Sequence, residues 1–168
     1  PLLEKVNIYT YRTEDSMPSA GQDKMKGQLG FQQHAWQATL GSDAVVWTTH
    51  PGPFSEGDTG GLSVGADYWA GGTSMPRVGQ HENVAVILYD PEVETMLGGI
   101  LDGLFPKITH AFFPRSQFDE VLQGGGWTIA RKDDGYVALY SANPASFATE
   151  GEWAGVDLVA EGSRNAWI

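Results

Sequence analysis

Apolar and polar residues alternate with a period of two along most of the chain, which places successive side chains on opposite faces of a strand. Such runs at 6–12, 32–40, 44–50, 83–89, 108–113, 127–131, 136–141 and 155–160 predict eight strands. The 22 Gly and 9 Pro fall mostly between these runs and punctuate them as turns and loops. In WTIARKDDGYVALYS, Asp134-Gly135 predicts a two-residue hairpin turn between alternating segments. The helical pattern is confined to 116–123, SQFDEVLQ, which opens on a capping serine and stops before Gly124-Gly125-Gly126, with another turn or two expected within 92–104. Two long glycine-rich loops, PGPFSEGDTGGLSVGAD and AGGTSMPRVGQ, interrupt the strands, and loops of that length in a compact domain usually carry function. The pattern predicts one all-β domain over 1–168: an antiparallel β-sandwich with long loops and at most one or two short helices.

The stretch FQQHAWQATLGSDAVVWTTHPGP reads as a hairpin whose register decides what its two histidines meet. With Gly41-Ser42 as a type II′ turn, Trp36 opposes Trp47 and Ala38 opposes Val45, so both strands keep their apolar residues on one face. His50 then lies on the polar face beside Gln33, and His34 at the outer end of the apolar stripe. A three-residue loop would instead set His34 opposite His50, near enough to share a metal, but would pair Trp36 with Thr48. The two-residue turn is the expected one. Trp36, Trp47 and Trp127 are expected in the core, and Trp69 and Trp153 are the expected exposed aromatics.

Composition narrows the partners. The 10 Lys+Arg against 21 Asp+Glu give a formal charge of −11, which opposes binding to nucleic acid or to an anionic membrane surface. With no cysteine, only His and carboxylates remain as metal ligands. No apolar run reaches the ~20 residues of a membrane span. The opening PLLEKVNIYTYRTEDS lacks the basic and apolar regions of a signal peptide, so a mature product or a piece of a larger chain is expected, compatible with a periplasmic or secreted location.

Several motifs taken in order, GFQQHAWQATLGSDAVVWTTHPG, YWAGGTSMPRVGQHENVAVILYD, THAFFP, FDEV and GWTIARKDDGYVALYS, resemble the β-sheet domain that follows the helical toroid in heparinase II/III-like polysaccharide lyases and their bacterial relatives. The resemblance implies a supersandwich-like form and a poly- or oligosaccharide ligand. It implies too that a helical domain missing from these residues, or a second copy, completes the cleft. In that family a histidine on the first strand of a strand–turn–strand unit and an acid late in the second hold zinc in some members. Here His34 matches the histidine, and Thr49-His50 stand where the acid is expected. No cofactor is required by the resemblance, and a divalent metal on His34 and His50 is compatible with it.

The implied chemistry is β-elimination of a uronic acid-containing glycan, which needs a carboxylate neutraliser, a base for the C5 proton and an acid for the leaving oxygen. His34 or His110 suits base or neutraliser, Tyr68 the proton donor, and Arg77 or Arg115 a carboxylate clamp. Gln33, Trp69 and Trp153 are the expected sugar contacts. Each also has a plain structural reading: His110 and Tyr68 as packed core groups, Arg77 as a partner of surface acids.

Two other classes compete with the lyase. A non-catalytic carbohydrate-binding module would use Trp69 and Trp153 as flat platforms for sugar rings. A serine hydrolase would use Ser63 of Gly61-Leu62-Ser63-Val64-Gly65, with Asp90 or Asp102 and His110 following in α/β-hydrolase order. That motif needs a strand before the serine and a helix after it, and the pattern offers neither.

Overall fold

The computed structural model describes residues 7–22, 35–51, 68–69, 75–90 and 106–168. Among them there is no α-helix. Thirteen strands run as β1 (Asn7–Thr10), β2 (Met17–Gln22), β3 (Trp36–Thr39), β4 (Val45–Thr49), β5 (Arg77–His81), β6 (Val84–Tyr89), β7 (Ile108–Phe112), β8 (Glu120–Gly124), β9 (Trp127–Lys132), β10 (Gly135–Tyr140), β11 (Ala145–Phe147), β12 (Asp157–Glu161) and β13 (Asn165–Trp167). All pairings are antiparallel, as the alternating pattern predicts. One layer is a seven-stranded sheet in the order β1-β2-β3-β4-β7-β12-β11, and two three-stranded sheets, β10-β9-β8 and β13-β6-β5, make the other.

The two smaller sheets are stitched edge to edge. Tyr140 and Ile168 exchange backbone hydrogen bonds of 2.8 and 3.0 Å, and Ser141 bridges Trp167. Between the layers, Trp36, Val46, Ala111, Leu158 and Ala160 of the large sheet pack against Ile87, Tyr89, Val137, Leu139 and Trp167 of the small ones. Thr109 ties the layers by accepting from Trp167 Nε1 and Asn165 Nδ2, each at 3.0 Å. Buried polar groups in such a core need partners, and these have them.

Four expectations are corrected. First, 116–123 is not helical: Arg115–Gln117 makes one 3-10 turn and Glu120–Gly124 is strand β8. Gly125 and Gly126, at φ +60° and +84°, are the hairpin turn into β9 rather than a helix stop, since two consecutive positive φ values suit a type I′ turn. Second, the β9–β10 turn is Asp133-Asp134, with Gly135 already paired to Lys132. Asp133 takes the positive φ of 51°, while Gly135 is required for space: a Cβ there would stand 2.6 Å from the Asp15 carbonyl oxygen.

Third, β3 and β4 pair as Ala38 with Val46 and Thr39 with Val45, around a Gly41–Asp43 loop closed by Leu40 N–H donating to the Ala44 carbonyl at 2.9 Å. This is the three-residue loop. Trp36 therefore meets Thr48, donating to its hydroxyl at 2.7 Å, and Trp36 and Trp47 lie on opposite faces. The expected register rested on one apolar face per strand. Here β4 is covered on both faces, so Val46 and Thr48 turn inward to the second layer while Trp47 and Thr49 turn outward under other aromatic rings. Trp127 is likewise not core: it is 41% exposed on the outer face of the second layer.

Candidate functional site

The outward face of the large sheet is the place where several singled-out residues meet. Strand parity puts Trp47 and Thr49 of β4, His110 and Phe112 of β7, and Asp157 of β12 on this face, with Trp47 opposite Phe112, Thr49 opposite His110, and Phe112 opposite Asp157. Trp47 and Phe112 stack with centroids 4.1 Å apart. Over them lie Tyr68 and Trp69, which stand between the two glycine-rich segments, and Trp153 from the turn before β12. Trp69 stacks on His110 at 4.4 Å, Tyr68 meets the same ring edge-on at 4.6 Å, and Trp153 packs edge-on against Trp69 at 5.3 Å.

Beneath the rings runs a continuous relay. Thr49 Oγ1 lies 2.6 Å from His110 Nε2, His110 Nδ1 lies 3.0 Å from Asp157 Oδ1, and the Tyr68 hydroxyl donates to Asp157 Oδ2 at 2.5 Å. The partners assign the tautomer. A carboxylate only accepts, so His110 carries its proton on Nδ1 and offers a lone pair at Nε2 to the Thr49 hydroxyl. The order hydroxyl, imidazole, carboxylate is that of a general-base relay, in which the acid orients the ring and the ring draws on the hydroxyl. Burial, reinforced by the hydrogen bond to Asp157 and its charge, pushes the Tyr68 hydroxyl well above the ordinary tyrosine range. Tyr68 thus stays protonated. Thr49, His110 and Asp157 are buried, the histidine completely.

On the other side of the same strand sits a second histidine without such support. His50 faces Tyr89 with ring centroids 6.4 Å apart, and among the described residues its ring makes no full hydrogen bond, only a weak interaction with the Pro51 backbone. Burial first, then the nearby His110, lowers its pKa to about 4, with the Pro51 backbone opposing. His50 is therefore neutral at pH 7 and buried, not on a polar face as its expected register had it. Two orphan nitrogens fit a metal ligand. No group of three or more potential ligands accompanies them among the described residues, however, so no chemical step is derived through a metal.

The relay gathers Tyr68, His110, Trp69 and Trp153, and leaves the two arginines elsewhere. Arg77 opens β5 on the exposed side of the second layer, and Arg115 lies over the Phe147 ring at 4.9 Å. His34, Gln33, Ser63 and Asp102 fall outside the described residues. Asp90, weighed as the acid of a hydrolase triad, pairs with Arg164 at 2.8 Å, and the acid on His110 is Asp157.

Sequence reasoning missed Asp157 and Thr49. The signal for Asp157 was an acid inside an apolar strand, GVDLVA, where a buried carboxylate needs a donor. For Thr49 it was the expected acid position itself, late in the second hairpin strand. Compared with protein-family models, with curated proteins and with solved structures, the chain matches none.

Proposed function

We propose that this is a carbohydrate-active β domain in which the Thr49–His110–Asp157–Tyr68 relay performs acid–base chemistry on a uronic acid-containing glycan. The observation that carries the reading is that Tyr68 and His110, both implied as proton-transfer groups by the lyase resemblance, bind the two oxygens of one carboxylate. β-Elimination requires a base for the C5 proton and an acid for the leaving oxygen. His110, oriented by Asp157 through Nδ1, is the base. Tyr68, kept protonated at neutral pH, is the acid. Trp69 and Trp153, half-buried rather than exposed as expected, with Trp69 stacked on His110, are the aromatic rings beside them for the sugar.

The test is release of unsaturated sugar from a uronate polymer, read by ultraviolet absorbance. His110→Gln and Tyr68→Phe should each lower the rate by about two orders of magnitude, the scale for loss of a general acid or base. A wild-type chain that yields no unsaturated product from any uronate polymer would overturn the elimination.

Complete burial of His110 favours a second reading: a non-catalytic glycan-binding module in which the relay is structural. Product formation decides between the two.

A further inference from the structure

The outer face of the second layer carries a strip of apolar side chains that the inner core does not explain. Its cross-strand rung begins with Gly79 opposite Val86. The next step of the β13–β6 register brings Ile168 beside Val86, and Ile168 exchanges backbone hydrogen bonds with Tyr140. Tyr140 opposes Trp127, and Trp127 opposes Gly124. Six strands at ~4.8 Å spacing make this rung about 24 Å long. Val84, Val86, Leu88, Leu122, Trp127, Ile129, Tyr136 and Ile168 are all exposed large hydrophobics. A contiguous patch of this kind marks a binding surface.

The rung ends on small residues, Gly79 and Gly124, with Ala138 and Ala166 beside it. The Trp127 and Tyr140 rings sit 5.1 Å apart near its middle. By strand parity the charged groups sharing the face are Arg77, His81, Arg131 and Glu120, with Asp90 and Arg164 one step beyond the ends of β6 and β13; Arg131 lies 3.3 Å from Asp119 and 4.0 Å from Glu120, and Arg164 2.8 Å from Asp90. Arg131 and Arg164 are thus taken up by neighbouring acids. Among the described residues Arg77 has no acidic partner.

We infer that this face is a second, open glycan platform, on which an acidic polysaccharide lies across the strands. The Trp127 and Tyr140 rings stack on sugar rings, Val86 and Ile168 extend the apolar strip, and Arg77 binds a sugar carboxylate. Aromatic faces suit the C–H face of a pyranose, and an arginine suits a carboxylate by paired hydrogen bonds. The inference rests on the carbohydrate reading of the domain but not on elimination at His110.

The experiment is affinity electrophoresis in gels containing alginate or, separately, neutral hydroxyethylcellulose, with sedimentation velocity on the same samples. Wild type should be retarded by alginate. Trp127→Ala and, on the other half of the strip, Val86→Ser should each weaken that retention, the former by about tenfold, the scale of one stacked ring. Arg77→Gln should weaken retention by alginate and leave that by the neutral polymer unchanged. Retention is read without any product, so its outcome is separate from the elimination assay. Wild type that migrates freely through alginate, or the same retention in Trp127→Ala and Val86→Ser as in wild type, overturns the platform. So does a wild-type dimer that Trp127→Ala converts to monomer, which would assign the face to contact with a second copy.

Discussion

The two faces of the large sheet around β4 solve the burial of polar groups in different ways. On the outward face every member of the relay has a partner, from Thr49 through His110 and Asp157 to Tyr68. On the inward face Trp36 donates to Thr48 and Thr48 bonds the Tyr89 hydroxyl at 3.1 Å, yet among the described residues neither nitrogen of His50, at the end of the same row, makes a full hydrogen bond. A satisfied buried network holds one geometry, whereas an orphan buried histidine costs stability that only its neutral form keeps small. The outward face thus holds its polar groups in one hydrogen-bonded arrangement, and the inward face holds its histidine neutral.

The largest expected effect comes from removing the centre of the outward network. Asp157→Ala strands the His110 Nδ1–H and the Tyr68 hydroxyl at once, and should cost about 4 kcal/mol in urea unfolding, the scale of breaking a buried pair. A cost below about 1 kcal/mol would mean that the relay is not closed.

Next is acid. With a folded pKa of about 4 against 6.5 unfolded, His50 takes up its proton more readily in the unfolded chain. Its contribution to stability is present above pH 6.5 and is lost as pH falls toward 4, by about 3 kcal/mol. His50→Leu removes that slope, so the stability of wild type relative to the variant should drop by this amount between pH 7 and pH 4. Parallel curves would show His50 protonated or partnered in the fold.

The smallest effect separates the neighbouring threonines. Thr48→Val strands Trp36 Nε1 and the Tyr89 hydroxyl, while Thr49→Val strands only His110 Nε2. Costs of about 2 and about 1 kcal/mol should follow. The reverse order would exchange the ranking of the two faces.

The strands were legible where a segment alternates on its own account, as 84–89 and 136–140 do, because one face meets the core and the other does not. The β3–β4 register was not legible, because β4 is covered on both faces and its alternation carries no information about which is inward. Trp127 misled for the complementary reason: its ring is large and apolar, yet it occupies the open side of a hairpin. The His110–Asp157 contact could not be read locally, since the pairing of β7 with β12 joins residues 47 positions apart. Tyr68 and His110 were singled out for the chemistry that the lyase resemblance implies, and the fold brings both onto the Asp157 carboxylate.

The seam between Tyr140 and Ile168 has a consequence for how the chain is made. Strand β13 lies between β6 and β10, so the layer facing the core cannot close until the last residues of this sequence have left the ribosome. Until then β6 and β10 present bare edges, and the seven-stranded sheet lacks the Trp167 indole that Thr109 accepts. Closure of this layer should therefore wait for the synthesis of residues 165–168, after every other strand named here has been made. A nascent chain arrested before residue 165 should be cut by protease at sites that the released protein shields.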